Sequence, residues 1–244
     1  VTYGAGGGTS DYTVSVAADI LNNYNGTPLA HLTCVSSDKQ KITAQLKALK
    51  DNNIENILAL RGDIPKNSNN SAEEYKYAAQ LIRDIKSMGD FCIGGACYPE
   101  THVESSTSAD DIKYLKEKVD TGCDFLTTQM FFDNNILYSF LYKIREAGIT
   151  VPVVAGIMPV TNGKQIKRIC ELSGTYLPQR FKSIVDKFGS DPAAMTQAGV
   201  AYATDQIIDL LANGVNAVHV YSMNKPEVAA AIQANLSKII PKKD

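Results

Sequence analysis

Apolar stretches of strand length alternate along this chain with segments of helical period, and that alternation restricts the fold more than any other feature. Seven strand candidates can be marked: Val1–Ala5, Leu29–Cys34, Asn56–Gly62, Phe91–Pro99, Phe125–Met130, Val151–Ile157 and Asn216–Ser222. Between them, Ile42, Leu46 and Leu49 form one helical stripe. Tyr75, Ala79, Ile82 and Ile85 form a second, and Leu137, Phe140, Leu141 and Ile144 a third. The long helices are expected to stop at Asn52-Asn53, Gly89, Gly122, Gly148 and Gly214, residue types that close helices. Strict alternation predicts parallel strands joined by crossover helices. With 244 residues, 44% of them hydrophobic, the chain can bury one large core. No linker, repeat or low-complexity run divides it, so residues 1–244 are expected to form a single domain.

The strands end in polar side chains. Asn56-Ile57-Leu58-Ala59-Leu60 runs straight into Arg61-Gly62-Asp63, delivering two opposite charges and a glycine to one rim. Parallel barrels collect chemistry at the C-terminal ends of many strands, whereas doubly wound sheets use one switch point. The expected fold is therefore a (β/α)8 TIM barrel with seven of its eight βα units present; an open doubly wound sheet is the alternative.

Net charge is −2, with Lys and Arg interspersed among Asp and Glu. That pattern argues against a nucleic-acid or membrane surface. The longest apolar runs are strand-sized, such as Val151 to Ile157, so a soluble cytoplasmic protein is expected. Five cysteines (Cys34, Cys92, Cys97, Cys123, Cys170) show no C-x-x-C spacing and are expected as reduced, mostly buried thiols.

The tips narrow the chemistry. Gly4-Ala5-Gly6-Gly7-Gly8-Thr9 fails the dinucleotide fingerprint, because Thr9 stands at its third glycine. His31 and Thr33 share one face of their strand. Tyr98-Pro99-Glu100-Thr101-His102 ends the fourth strand, and a loop from Ser105 to Ser108 precedes a helix carrying Asp110, Asp111 and Lys118. That loop reads either as a phosphate cradle or as an ordinary helix cap. Gln129 lies beside Met130-Phe131-Phe132, a setting suited to hydrogen-bonding a heterocycle. Asn162 and Gln165 follow Gly156-Ile157-Met158-Pro159-Val160, and Tyr221, Met223, Asn224 and Lys225 end the last strand. His31, His102 and His219 are isolated, which disfavours metal hydrolysis; no strand contains a lysine for Schiff-base chemistry, and no strained nucleophile turn occurs. What remains suits a planar cofactor that performs the chemistry itself. A phosphate-binding lyase or aldolase without flavin, and a catalytically silent binding subunit, are the competing readings.

Taken in order, these residues resemble the methylenetetrahydrofolate reductase family. The matching segments are Val1-Thr2-Tyr3-Gly4-Ala5, His31-Leu32-Thr33-Cys34, Ala59-Leu60-Arg61-Gly62-Asp63, Tyr98-Pro99-Glu100 with His102, Thr128-Gln129 with Phe131-Phe132-Asp133, Gly156-Ile157-Met158-Pro159-Val160, and Tyr221 with Asn224. The resemblance implies a TIM barrel that binds FAD and reduces 5,10-methylenetetrahydrofolate to 5-methyltetrahydrofolate, with NADH or NADPH as electron donor. It implies flavin contacts at Thr2, His31, Leu60, Arg61, Gly62, Asp63, Tyr77, Ala78, Tyr98, His102, Asp111 and Lys118. Asp63, Gln129, Gln165 and Lys225 are implied at the folate, with Asp63 the catalytic residue. A carboxylate there would stabilise the iminium cation that accepts the hydride. Ile169 stands where members often carry phenylalanine, Gly6 where asparagine is common, Glu117 replaces a basic residue and Lys225 an arginine, so the nicotinamide contact departs from the pattern more than the flavin contact does. Some bacterial members work with a partner subunit, and either that or a homo-oligomer is compatible with the chain. The family's first strand carries a glutamate, the general acid, in a Glu-Phe-Phe-Pro-Pro motif that these residues lack; a preceding βα unit is expected to supply it.

Overall fold

The computed structural model describes residues 1–2, 10–35, 37–63 and 74–240. Helix α1 (Ser10–Tyr24) leads into β1 (Leu29–Thr33), followed by α2 (Lys39–Asp51), β2 (Asn56–Leu60), α3 (Ala78–Met88), β3 (Cys92–Cys97), α4 (Ser108–Asp120), β4 (Phe125–Thr128), α5 (Asn134–Glu146) and β5 (Val153–Ile157). Three helices, α6 (Gly163–Ser173), α7 (Gln179–Phe188) and α8 (Pro192–Ala212), precede β6 (Val218–Val220), and α9 (Pro226–Asn235) closes the order. The strands follow chain order in the sheet, β1-β2-β3-β4-β5-β6, and β1–β2, β2–β3 and β5–β6 pair in parallel. No described helix is long and apolar enough to cross a membrane.

Six expected strands are present within a few residues of their expected ends. Most of the first candidate, Val1–Ala5, lies outside the described residues, as does the Gly4–Thr9 loop. Val1 nonetheless bonds to β1 as a neighbouring strand would, donating to Leu29 O at 2.7 Å and accepting from His31 N at 2.9 Å. Strict alternation fails between β5 and β6. There Gly174, with φ of 70°, ends α6, Pro178 opens α7, and Asp191 caps α8 through Ala193 N and Ala194 N.

The chain divides into two compact units, interleaved in sequence: Val1–Ala96 with Tyr114–Leu126, and Cys97–Lys113 with Thr127–Asp244. In the first, period-2 alternation sends Ala30, Leu32, Ile57, Ala59 and Ile93 into one core with Ile42, Leu46 and Leu49 of α2 and Leu81, Ile82 and Ile85 of α3. Helix α2 starts where Asp38 accepts from Lys41 N at 2.7 Å, and it stops at Asn52, with Asn53 in the left-handed region.

The core of the second unit gathers Phe132, Ile166, Phe181, Val185, Met195 and Tyr202. Phe181 stacks on Phe132 at 4.9 Å and lies tilted against Tyr202 at 4.3 Å; full burial of such a ring stabilises by about 1.5–3 kcal/mol. Helix α8 crosses the tip of β5 so closely that a Cβ on Gly199 would lie 1.9 Å from Val160 O. Only glycine fits there. The five cysteines are free; four are buried and Cys92 is half-buried.

Candidate active site

Unit one presents its polar residues beyond β1 and β2. The ladder sets Thr33 opposite Leu60 and continues past the strands, with Cys34 N donating to Leu60 O at 3.2 Å and Val35 N to Arg61 O at 2.7 Å. This backbone pairing fixes the path of Arg61-Gly62-Asp63. Gly62 has φ of +87°, and a Cβ there would sit 2.6 Å from Val35 Cγ1. Both the torsion and the contact require glycine. Asp63 is exposed, while Leu60, Arg61 and His31 are half-buried. Beneath Gly62 lies Thr33, 4% exposed, whose Oγ1 has no hydrogen-bond partner. A buried hydroxyl left unpaired costs about 1–3 kcal/mol.

Further along this unit, Lys118 Nζ donates to Ala96 O at 2.7 Å. The start of α3 is held by Gln80, whose Oε1 accepts from Tyr77 N at 3.0 Å and Lys76 N at 2.7 Å. Tyr77 is exposed and Ala78 half-buried at that start. Thr2, exposed, accepts from Thr13 Oγ1 through its carbonyl at 3.1 Å.

Unit two carries the remaining candidates. Tyr98 packs edge-on to His102 at 4.5 Å, and His102 Nδ1 accepts from Glu104 N at 3.1 Å. Two hydroxyls of the 105–108 loop are committed locally. Ser105 donates to Asp111 Oδ1 at 2.9 Å, and Thr107 both donates to Asp110 Oδ2 and accepts from Asp110 N. Those bonds are a helix cap, the plainer of the two expectations for this loop.

Gln129 follows β4 with its main-chain N donating to Cys97 O at 2.7 Å and its Oε1 accepting from Met130 N at 2.9 Å. Among the described residues its amide N–H groups meet no acceptor, so they could serve a ligand. Lys225 Nζ donates to Thr161 Oγ1 at 2.8 Å, and Gln165, exposed, lies in the first turn of α6. Tyr221, on the last strand's tip, donates to Thr128 O at 2.7 Å; Thr128 Oγ1 in turn accepts from Gly156 N at 2.8 Å. Burial first, then the neighbouring Cys97 and Tyr98, push the Tyr221 phenol well above its ordinary range. It is a neutral strut.

Spacing alone did not mark the side chains that hold these tips. Glu100 Oε2 accepts from Tyr176 N at 2.6 Å across 76 residues. Tyr202 donates to Phe132 O at 2.6 Å, and Gln206 Nε2 to Phe131 O at 3.2 Å. Burial raises the Glu100 carboxyl above its ordinary value; the Tyr176 N–H opposes this and Asp133 adds to it. Among the described residues no cluster of three or more His, Cys, Asp or Glu could hold a metal ion.

Parallel strands in chain order, alternating with helices, define an α/β fold. The family follows from comparison with known proteins. Residues 1–237 match the methylenetetrahydrofolate reductase family, and the chain belongs to it. The "5,10-methylenetetrahydrofolate reductase" of Escherichia coli strain K12 is 33% identical over 95% of this chain and 77% of its own length. "Methylenetetrahydrofolate reductase (NADH) 1" of Zea mays is 34% identical over 98% of this chain. This chain spans 43% of the maize protein's length. Among solved structures, an uncharacterised Clostridium thermocellum protein, described as binding two copies of 5-methyl-5,6,7,8-tetrahydrofolic acid, superposes with a TM-score of 0.57 at 13% identity. The match covers 91% of this chain and 76% of that one, a likeness of fold.

Proposed function

We propose that this chain carries the flavin-dependent reduction of 5,10-methylenetetrahydrofolate to 5-methyltetrahydrofolate, on a (β/α)8 barrel that forms one catalytic domain. Membership of the reductase family across residues 1–237 supports this reading most strongly. The local geometry agrees with it: Leu60 to Asp63, Tyr98 and Gln129 each end or directly follow a strand.

The residues present fit FAD. The buried Thr33 hydroxyl has no partner, and His31 and Arg61 nearby are half-buried, a donor set that suits a planar ring with carbonyl and ring-nitrogen acceptors. The residues we assign to the cofactor are those the family resemblance implies: Thr2, His31, Leu60, Arg61, Gly62, Asp63, Tyr77, Ala78, Tyr98, His102, Asp111 and Lys118. When bound, FAD supplies the hydride, replenished by a reduced nicotinamide. The maize relative named for NADH favours NADH over NADPH. The Asp63 carboxylate would stabilise the iminium cation that methylenetetrahydrofolate must become. Gln129 would orient the pterin through its amide, with Gln165 and Lys225 further along the folate.

The full-length protein should purify yellow and release FAD on denaturation. A colourless protein that takes up no FAD on reconstitution overturns the reading. Gln129→Ala should raise the folate KM with flavin affinity unchanged; loss of FAD with normal folate kinetics would move Gln129 to the cofactor.

A further inference from the structure

The turn after β3 is strained and half-satisfied at adjacent residues. Thr101, a β-branched residue, holds φ of +75°, a conformation such side chains rarely adopt. Its N–H closes the turn onto Tyr98 O at 3.1 Å. Beside it, Glu100 gives one carboxylate oxygen to Tyr176 N at 2.6 Å, while Oε1 is buried without a partner. Strain of this kind persists only where surrounding contacts over-determine it, and it concentrates at functional sites.

Those contacts converge on the segment that follows α6. A Cβ on Gly174 would lie 2.9 Å from Val103 Cγ1, so the turn's far side packs on the same segment that Glu100 grips. Thr175 Oγ1 accepts from Ser173 Oγ at 2.8 Å and donates to Met130 O at 3.4 Å. Glu100, Gln129, Ser173 and Thr175 line one small depression with Tyr98. The other end of α6 is fixed by Asn162, which accepts from Lys164 N at 3.0 Å. A helix clamped at both ends holds Gln165 in one place.

We propose that Glu100 is a positioning residue: its carboxylate fastens the Tyr98–His102 turn to the segment after α6 and thereby sets Tyr98 and His102 for the flavin and Gln165 for the folate. The two ligands rest on the functional reading above; the clamp itself does not. Glu100 touches neither reacting atom, so its loss acts on binding. The partner is a backbone N–H, which needs an acceptor oxygen and no charge, so an amide of the same length suffices.

The test compares Glu100→Ala, Glu100→Gln and Glu100→Asp in the full-length protein. In Glu100→Ala, the FAD dissociation constant and the folate KM should each rise by up to about tenfold, the worth of an ordinary hydrogen bond, with kcat at saturation nearly unchanged. Glu100→Gln should restore both, and Glu100→Asp, one methylene short, should resemble alanine. Hydrogen exchange at the Tyr176 amide needs no ligand: it should accelerate in the alanine and aspartate variants and stay slow in glutamine. If wild type binds no FAD, the functional reading fails, and the clamp is still judged by exchange. Unchanged exchange without the glutamate overturns the clamp. Faster exchange with unchanged FAD and folate constants overturns the positioning role, and a glutamine variant as impaired as alanine overturns the hydrogen-bond mechanism. Should alanine fail to fold, the glutamine–aspartate contrast decides by the same measures.

Discussion

The Arg61-Gly62-Asp63 tip of one unit and several tips of the other are held by different means. In Val1–Ala96 with Tyr114–Leu126, the Arg61-Gly62-Asp63 tip is held by main chain, through Cys34 N to Leu60 O and Val35 N to Arg61 O. In Cys97–Lys113 with Thr127–Asp244, side chains reach far along the sequence to hold backbone: Glu100 to Tyr176, Tyr221 to Thr128, Tyr202 to Phe132 and Gln206 to Phe131. A tip held by ladder bonds keeps its shape whatever its side chains become, provided Gly62 remains. A tip held by single side chains can be altered one residue at a time.

The largest expected effect tests chemistry on the ladder-held tip. Asp63→Asn should slow folate reduction by roughly 10²–10³, about 2–4 kcal/mol of barrier, with FAD still bound. Because the backbone holds the tip, the loss in rate should far exceed any loss in FAD affinity. A fall in FAD affinity as large as the fall in rate would mean that Asp63 shapes the loop as well, and the contrast between units would weaken.

Two identical substitutions then set the units against each other. Thr128→Val removes the acceptor of the buried Gly156 N–H and should destabilise by about 1–3 kcal/mol, the cost of an orphaned buried donor. Thr33→Val removes a hydroxyl that has no partner, so the ligand-free protein should be unchanged or more stable by up to about 1 kcal/mol. Chemical denaturation without FAD measures both. Equal destabilisation by the two would break the comparison. With FAD present, a fall in affinity for Thr33→Val would show that the spare hydroxyl meets the cofactor.

The sequence exposed these two designs unequally. The six strands announced themselves because each is a run of apolar residues bounded by turn residues, and Arg61-Gly62-Asp63 stood out as charge at the end of such a run. Local spacing carries that information. Bonds between Glu100 and Tyr176, or Tyr221 and Thr128, join residues 76 and 93 positions apart, and no periodicity records them. Helices α6 and α7 are hard to see in the sequence for another reason. Their buried stripes are only Gly163, Ile166 and Cys170, and Phe181 and Val185, too short to stand apart from a loop. Helix α8 buries polar Thr204 and Gln206 among its apolar residues, so its period is blurred and only the Gly214 stop is plain in sequence. The 105–108 loop leaves two readings open in sequence; the bonds from Ser105 and Thr107 to Asp111 and Asp110 show that it caps the helix.

The smallest expected effect is a pH dependence in the second unit. Burial raises the Glu100 carboxyl in the folded state, so its protonated form favours folding. Relative to Glu100→Gln, wild type should gain most stability below the unfolded glutamate value, about 4.3. That advantage should vanish as pH rises through the raised folded value. Thermal unfolding of both proteins across this range reads the difference directly. A gap that widens with rising pH would reverse the sign and show that the charged carboxylate is the favoured form.

The central claim, hydride delivery from bound flavin to methylenetetrahydrofolate, is tested most directly by anaerobic stopped-flow absorbance on the full-length protein. Flavin reduced beforehand with NADH should return fully to its oxidised spectrum on mixing with 5,10-methylenetetrahydrofolate, one 5-methyltetrahydrofolate appearing per flavin. Reduced flavin that persists unchanged in the presence of saturating methylenetetrahydrofolate would contradict the account.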